Sequence, residues 1–274
     1  MPILNTPEAR QYYIQSGTGP DIVWIPGGDT VATHWDDQFR AFEKGYRNTS
    51  FDPRGAGQTV SHRKPPWLIE DYARDTAALI RAVCKPPVVL VGLSMGSLIV
   101  IQMALDYPEL VRTAIAMGVS GRAEGFLMDW LKAEVEFRRQ GGRLSHDFAV
   151  CHYAAFMYPA KVLNDPAQWA KVKPIVERSY GDRDGESLAA QWQACIEFDA
   201  LARLPGCTVP LHVISFSEDL QAPPEQGRLV TELAPKGRFH LLEGLGHVSL
   251  AGHEPHQVIG RIRQILEQDR VSLI

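Results

Sequence analysis

Three residues of this chain have the types needed for nucleophilic catalysis, and each lies shortly after a predicted β-strand: Ser94, Asp219 and His247. A serine hydroxyl is a weak nucleophile at neutral pH and needs a base to take its proton. A histidine base in turn needs an acid that orients the ring and stabilises its charged form. The chain supplies the three groups in the order nucleophile, acid, histidine, which predicts a catalytic triad.

Ser94 is the centre of the motif Gly92-Leu93-Ser94-Met95-Gly96. The segment Val88–Val91 before it is predicted as a buried strand, and the apolar segment after it as a helix that ends near Tyr107. Because the two glycines have no Cβ atom, strand and helix can approach closely while the serine adopts a strained backbone conformation. The motif therefore predicts strand, sharp turn and helix, with the Ser94 hydroxyl projecting as the candidate nucleophile.

The same segment has no charged residue between Lys85 and Asp106, which is the length of a membrane span. Small and polar residues interrupt it, however, and no basic flank of the kind found beside membrane helices stands out. These interruptions are Gly92, Ser94, Gly96, Ser97 and Gln102. We therefore expect an element buried inside a globular protein, and no membrane span.

Hydrophobic strands alternate with amphipathic helices over most of the chain. Predicted strands are Gln11–Gln15, Asp21–Ile25, Tyr46–Phe51, Val88–Val91, Thr113–Gly118, Leu211–Phe216 and Arg238–Leu242. Predicted helices between them are Thr33–Lys44, Trp67–Val83, the helix after Ser94, Pro224–Leu233 and Pro255–Gln268. This alternation predicts an α/β fold with a mostly parallel sheet and helices on both faces. Ligands bind beyond the carboxyl ends of such strands, where Asp219 and His247 lie.

Residues 120–205 break this alternation and are predicted to form a helical cap inserted into a core of residues 1–119 and 206–274. Four helices are expected there, Phe126–Gln140, Asp147–Tyr158, Ala167–Ser179 and Glu186–Leu201. Their large apolar side chains could pack the cap or line an apolar pocket. These are Phe126, Met128, Trp130, Phe137, Phe148, Tyr153, Phe156, Met157, Tyr158, Trp169, Tyr180 and Trp192. No catalytic role is predicted for His152 of this segment.

The composition favours small-molecule chemistry. With 274 residues, 45% of them hydrophobic, and a net charge of −4, the chain can bury a full core and offers no basic surface for nucleic acid. The N-terminus lacks the features of a signal peptide, so a cytoplasmic location is expected. Cys84, Cys151, Cys195 and Cys207 are widely spaced and predicted to be reduced. No cofactor or metal site is expected. The sequence leaves open whether the protein forms a homodimer.

The motifs together resemble the α/β-hydrolase family, in the lid-bearing group of esterases, lactonases and carbon–carbon hydrolases. The resemblance covers nearly the whole chain and implies the α/β-hydrolase fold. It also implies Ser94 as nucleophile, His247 as general base and acid, Asp219 as orienting acid, and backbone N–H groups of Gly28 and Met95 as the oxyanion hole. The residues that carry it are Pro26-Gly27-Gly28, Asp52–Gly57, Gly92–Gly96, Asp219 with Pro223, and Gly246-His247.

The chain departs from the family pattern in two places, and one assignment has an alternative. The first oxyanion loop commonly begins His-Gly but here begins Pro26-Gly27, so a histidine that often supports the loop is missing. Ser97 stands where many relatives have a second glycine, and Glu218 is an alternative to Asp219 as the acid. The spacing of Asp219 to Pro223 favours Asp219. Serine at position 94, where epoxide hydrolases and haloalkane dehalogenases carry aspartate, argues against those two activities.

Three functions are compatible with these residues. The first is a serine hydrolase that cleaves a carboxylic ester or lactone of a small to medium apolar substrate through an acyl-enzyme. The second is a carbon–carbon bond hydrolase acting on a vinylogous diketone with the same residues. The third is a non-catalytic hydrolase-fold protein that uses the pocket for binding, although such a protein usually has a broken triad. We expect the first, but the second uses the same residues and the sequence alone does not separate the two.

Overall fold

The computed structural model describes residues 2–179 and 184–271, in which nine strands join one sheet. The strands are β1 (Ile3–Asn5), β2 (Ala9–Ser16), β3 (Asp21–Ile25), β4 (Arg47–Phe51), β5 (Val60–Ser61), β6 (Val88–Leu93), β7 (Val111–Met117), β8 (Leu211–Phe216) and β9 (Gly237–Leu242). All seven predicted strands are present. The short strands β1 and β5 were not predicted, because three and two residues are too few to show a hydrophobic period.

The sheet has the order β1-β2-β4-β3-β6-β7-β8-β9, with β5 paired to β2. Strands β3, β4, β6, β7, β8 and β9 run parallel, whereas β1, β2 and β5 pair antiparallel at one edge. The predicted mostly parallel α/β fold is confirmed. Because β6, β7, β8 and β9 are successive neighbours, the loops after their carboxyl ends meet at one edge of the sheet.

The core helices are α1 (Asp36–Phe42), α2 (Ile69–Val83), α3 (Met95–Asp106), α9 (Pro224–Leu233) and α10 (Pro255–Val271). The predicted helix at residues 33–44 is shorter than expected, because a 3₁₀ turn occupies Ala32–Trp35. In α3, every residue from Met95 to Ala104 is buried, which explains its uncharged sequence. None of the helices in the described ranges is long and apolar enough to cross a membrane.

Within the described residues, five α-helices lie between β7 and β8: α4 (Gly125–Arg139), α5 (His146–Met157), α6 (Ala160–Leu163), α7 (Pro166–Ser179) and α8 (Gly185–Glu197). Four were predicted, and the one-turn helix α6 was not. Helix α8 ends four residues before the predicted boundary at Leu201. We call the segment 120–205 the cap, and its boundaries remain a proposal. Tyr180, one of the predicted cap aromatics, lies outside the described residues.

The neighbouring strands β8 and β9 each contribute one histidine to a pair, which lies away from the carboxyl ends of these strands. The Nδ1 atom of His212 is 3.0 Å from Nε2 of His240, so one ring nitrogen must donate and the other must accept. His212 is fully buried, and Asp269 of α10 approaches its other nitrogen at 3.5 Å. Burial lowers the pKa of His240 to about 4, with the adjacent His212 adding to the effect. Burial also lowers the pKa of His212.

We expect this pair to make the protein acid-sensitive. An unfolded histidine has a pKa near 6.5, so acid protonates the unfolded chain before the folded one and favours unfolding. The stability that depends on the neutral pair is fully present above about pH 6.5 and is lost as the pH falls through about 4. Between about pH 7.5 and 4.5, the free energy of unfolding measured with urea should drop more in the wild type than in His240→Gln, which does not titrate.

The exposed His256 of α10 provides the matched control for this experiment, because His256→Gln removes a histidine at the surface. The His256→Gln protein should show the wild-type pH dependence. An equal loss of stability in the wild type and in His240→Gln would contradict the assignment of the acid sensitivity to the pair.

Candidate active site

Ser94 lies at the sharp turn between β6 and α3, as predicted. Its backbone has φ +56° and ψ −126°, a conformation that non-glycine residues rarely adopt, and its N–H donates to the Met117 carbonyl at 3.0 Å. A Cβ atom at Gly92 would lie 2.3 Å from the Gly96 carbonyl oxygen, and one at Gly96 would lie 2.3 Å from the Ile25 carbonyl oxygen. Gly92 is therefore required for the close approach of β6 and α3, and Gly96 for the close approach of α3 and β3.

His247 and Asp219 form a buried hydrogen-bonded pair beside this turn. The distance from His247 Nδ1 to Asp219 Oδ2 is 2.7 Å, and both residues are 4% exposed. The other carboxylate oxygen, Oδ1, accepts from the backbone N–H groups of Gln221 and Ala222 at 2.9 Å each. A carboxylate can only accept, so Nδ1 carries the proton and Nε2 of the neutral ring is left as an acceptor. Glu218, the alternative acid, is exposed.

The Nε2 atom of His247 is buried and makes no hydrogen bond within the described residues. Ser94 and His247 line the same two cavities, so the nucleophile and the free acceptor nitrogen share one space. Catalytic hydrogen bonds are often long without substrate and shorten when it binds. The geometry thus permits transfer of the Ser94 proton to Nε2.

Gly118 is a site residue that the sequence did not reveal. It follows β7 with φ +53°, and a Cβ atom placed on it would lie 3.0 Å from both Cε1 and Nδ1 of His247 and 3.2 Å from Oδ2 of Asp219. The histidine ring therefore rests directly on the backbone of Gly118. The only sequence signal was its position as the last residue of the predicted strand Thr113–Gly118, whereas the observed strand ends at Met117.

We expect Gly118→Ala to lower kcat by about 10-fold or more, because the added methyl group crowds the His247 ring and misplacement of a catalytic group by about 1 Å can lower the rate by about 10²-fold. The measurement is kcat on an activated ester, together with the thermal midpoint. Gly125→Ala at the start of α4 is the matched control, since Gly125 also has a positive φ (+52°) and a Cβ atom there meets no atom within 4 Å. If Gly118→Ala were as active as Gly125→Ala, the close contact would have no functional role.

The two predicted oxyanion donors belong to two segments next to Ser94. Met95 is the first residue of α3, where backbone N–H groups have no partner within the helix. Gly28 lies in the loop Pro26–Asp29 after β3, which we call the oxyanion loop. A Cβ atom at Gly27 of this loop would lie 3.3 Å from Cβ of Ser94, so the loop packs against the nucleophile. Gly28 lines the same cavity as Ser94.

The larger of the two cavities, which we call the main cavity, lies between the cap and the core. The space in it that the centres of water-sized spheres can occupy has a volume of about 100 Å³. Since one water needs ~10–15 Å³ by this measure, the cavity can hold a small organic molecule. The core contributes Gly28, Thr30, His34, Trp35, Ser94, His247 and Leu250, and the cap contributes Trp130, Tyr153, Phe156, Met157, Tyr158, Ile175, Val176, Leu188 and Trp192.

The second cavity, which we call the small cavity, extends from Ser94 beneath α4. It shares Trp130, Trp192, Gln221 and His247 with the main cavity, and its other walls are mostly apolar. These walls include Leu98, Gly118, Ser120, Leu127, Leu131, Cys195 and Ala222. Burial raises the pKa of the Cys195 thiol to about 12, so this cysteine stays protonated and is no competing nucleophile.

Comparison with known proteins identifies the family. A family model described as the alpha/beta hydrolase family matches residues 22–261. The chain belongs to the alpha/beta hydrolase family. Its relatives include BpoC of Mycobacterium tuberculosis, provisionally named a non-heme bromoperoxidase, which is 29% identical over 241 residues that cover 86% of this chain and 90% of that protein. Another is the 2-(acetamidomethylene)succinate hydrolase of Mesorhizobium japonicum, 28% identical over 62% of this chain and 58% of that protein.

Solved structures agree with this membership. The crystal structure of BpoC from Mycobacterium tuberculosis superimposes with a TM-score of 0.88 at 27% identity and covers 95% of this chain and 96% of that chain. The enol-lactonase from Burkholderia xenovorans has the same fold, with a TM-score of 0.86 at 22% identity and coverage of 97% of this chain and all of that one. The relatives of this alpha/beta hydrolase thus include hydrolytic enzymes.

The cap of this alpha/beta hydrolase also brings a polar cluster to the wall of the main cavity. Tyr153 lines the cavity and donates to Glu134 at 3.2 Å, while Arg138 donates to the Tyr153 hydroxyl and to Glu134 at 3.3 Å. Burial raises the pKa of Tyr153 well above its usual value, so the phenol stays neutral. His152 lies 3.7 Å from Glu134 in this cluster and does not line either cavity.

No metal centre was predicted for this chain. Over residues 2–179 and 184–271, no three His, Cys, Asp or Glu side chains come together in a group that could hold a metal ion. Of the predicted site residues, the structure brings Ser94, Asp219, His247, Gly28 and Met95 to one edge of the sheet. The chemistry this arrangement can perform is attack by a serine hydroxyl with the help of a histidine base.

Proposed function

We propose that this alpha/beta hydrolase is a serine hydrolase that cleaves a carboxylic ester or lactone of a small to medium apolar substrate through an acyl-enzyme. The observation that carries the proposal is the buried His247–Asp219 pair, joined at 2.7 Å, at the wall of the cavity that Ser94 lines. Ser94 is the nucleophile, His247 the general base and acid, and Asp219 the orienting acid.

In the first half of the reaction, Oγ of Ser94 attacks the carbonyl carbon while Nε2 of His247 takes the hydroxyl proton. The carbonyl oxygen becomes negative and accepts hydrogen bonds from the backbone N–H groups of Gly28 and Met95. The intermediate collapses, the bond to the alcohol oxygen breaks, and His247 gives its proton to that oxygen. The alcohol leaves, and the acyl group stays on Ser94.

In the second half, water replaces the alcohol. Nε2 of His247 takes one proton from the water, and the water oxygen attacks the acyl carbon. The bond to Ser94 Oγ then breaks, Oγ regains the proton from His247, and the acid product leaves. Asp219 stabilises the imidazolium form of His247 in both halves and does not itself become protonated.

The apolar lining of the cavities supports an ester or lactone over the carbon–carbon alternative. A vinylogous diketone presents more polar groups than a simple ester, and polar groups in an apolar cavity need matching partners. The two cavities on either side of Ser94 suit a carbonyl with an apolar group on each side, the bulkier one toward the main cavity. The presence of Ser94 and His247 at one cavity, with Asp219 bonded to His247, also disfavours a non-catalytic binding protein.

A substrate panel tests the proposed function. Purified protein is assayed with short activated esters, small lactones and a vinylogous diketone at neutral pH. We expect turnover of esters or lactones with release of acid and alcohol. Turnover of the diketone alone would assign the carbon–carbon reaction, and binding of an ester without turnover would assign the non-catalytic function.

A further inference from the structure

The oxyanion loop lacks the histidine that often supports it in related proteins, and the structure contains other groups that hold it. The hydroxyl of Thr30 donates to the Gly27 carbonyl at 2.8 Å. Gly27 C=O and Gly28 N–H belong to the same planar peptide unit, so this bond fixes the direction of the Gly28 N–H. One of the two peptide units around Gly28 is therefore held by the residue that follows the loop.

The other peptide unit around Gly28 is held by the cap. The N–H of Asp29 donates to Oε1 of Gln191, on α8, at 2.8 Å. Asp29 has φ +59°, a conformation that is unfavourable for a residue with a side chain and persists only where surrounding contacts enforce it. The bond to Gln191 is such a contact, and the two residues are 162 positions apart in the chain.

Gln191 is itself fixed at its other end. Its Nε2 donates to the Arg54 carbonyl at 3.0 Å, and its side chain is almost fully buried. Arg54 makes a two-pronged contact with Asp75 of α2 at 2.8 and 3.0 Å and is 1% exposed. The Gln191 amide thus bridges a rigid part of the core and the oxyanion loop. Its acceptor faces an N–H and its donor faces a carbonyl, so the orientation of the amide is determined by both partners.

The next residue of α8 reaches the same loop by packing. A Cβ atom at Gly28 would lie 2.4 Å from Cζ3 of Trp192, so the indole ring rests on the Gly28 backbone. Two consecutive cap residues therefore contact two consecutive loop residues, one by a hydrogen bond and one by van der Waals contact. The conformation of the oxyanion loop depends on the position of α8.

We propose that Gln191 is a positioning residue through which the cap holds the Gly28 N–H in place to stabilise the oxyanion. This inference rests on the proposed function of the site. Gln191 is more than 160 residues from the loop in sequence and contributes through a backbone hydrogen bond, so no motif marks it. The oxyanion hole is then complete only when α8 is docked on the core.

The experiment compares Gln191→Met with Gln193→Met. Methionine has a similar length and cannot form either hydrogen bond, and Gln193 lies on the same helix but bonds to Glu197 at 2.8 Å. Removing one oxyanion donor typically lowers kcat by about 10²–10³-fold, and we expect the displaced donor in Gln191→Met to lower kcat by at least ~10-fold. KM should change less than about threefold, because the bond acts on the transition state.

A boronic acid inhibitor provides a readout that a purely structural role would not change. It forms a tetrahedral adduct with the serine, so its inhibition constant should weaken in Gln191→Met by the same factor as kcat/KM. Gln191→Glu should recover most of the activity, because burial keeps the carboxylic acid neutral and able to accept from Asp29 and donate to Arg54. Thermal midpoints of all variants are measured in parallel.

The proposal is overturned if Gln191→Met matches Gln193→Met in kcat, or if its boronate affinity is unchanged while only its thermal midpoint falls. Should Gln191→Met not fold, Thr30→Val tests the same loop and must also weaken boronate binding, or the proposal fails. Ser94→Ala is assayed beside them. If its ester hydrolysis equals that of the wild type, the proposed function has failed, which is distinct from failure of the Gln191 inference.

Discussion

Replacing Ser94 with alanine is expected to lower kcat for an activated ester by about 10⁴–10⁶-fold. In the proposed mechanism the hydroxyl is the atom that attacks the carbonyl carbon. The thiol of the small cavity is no substitute for it, because burial raises the pKa of Cys195 to about 12. Residual hydrolysis would come from the oxyanion donors and from substrate binding alone. The measurement is steady-state hydrolysis of a chromogenic ester by protein purified from a host lacking competing esterases.

Ser145→Ala is the matched control for this substitution. Ser145 precedes helix α5, is exposed, and its side chain makes no capping hydrogen bond. Its replacement should leave kcat within about twofold of the wild type, since surface substitutions of this kind have small effects. Equal activity of Ser94→Ala and Ser145→Ala would show that the hydrolysis does not use Ser94.

Replacing Asp219 with asparagine should lower kcat/KM by about 10⁴-fold near neutral pH. The asparagine amide can donate to Nδ1 of His247, so the ring proton would move to Nε2 and the ring could no longer accept the Ser94 proton. The two backbone N–H groups of Gln221 and Ala222 keep an oxygen at this position in place. The geometry is therefore expected to survive while the tautomer changes.

The neighbouring acid tests whether this effect is specific. Glu218 is exposed and its side chain contacts neither His247 nor either cavity. Glu218→Gln removes the same charge one residue away and should leave kcat/KM within about twofold of the wild type. A large loss in Glu218→Gln with activity retained in Asp219→Asn would reverse the assignment of the orienting acid.

The positions of Ser94, Asp219 and His247 could be predicted from the sequence for a topological reason. Each residue follows a hydrophobic strand, and in a parallel sheet the carboxyl ends of the strands lie at one edge. The structure places β6, β7, β8 and β9 side by side, so the three loops converge. The turn at Ser94 could also be predicted, because the spacing of Gly92 and Gly96 leaves room for close contact of strand and helix.

Contacts between residues that are far apart in the sequence could not be predicted in the same way. Gly118 supports His247 only because β7 lies beside β8, and Gln191 reaches Asp29 across 162 residues. Both residues contribute through packing or backbone bonds, which leave no local pattern. A glutamine in an amphipathic helix has the same appearance in sequence whether it is buried, as Gln191 is, or partly exposed, as Gln193 is.

The residues that line the pocket could likewise not be predicted from the sequence, because they depend on how the cap packs on the core. Helical spacing identified the aromatic content of the cap but not the direction in which each ring points. Trp130, Phe156 and Trp192 line the main cavity, whereas Phe148 is 59% exposed and Trp169 packs in the cap's own apolar cluster. Which of these side chains would contact a substrate therefore depends on how the cap packs on the core.

Labelling of the native protein with a fluorophosphonate tests the central claim most directly. Phosphonylation requires an activated serine, and it is read by intact mass followed by peptide mapping. We expect one adduct per chain, located on Ser94, with labelling lost in Ser94→Ala and strongly slowed in Asp219→Asn. A native protein that stays unlabelled, or that is labelled at a different residue, would contradict the account of Ser94 as the nucleophile.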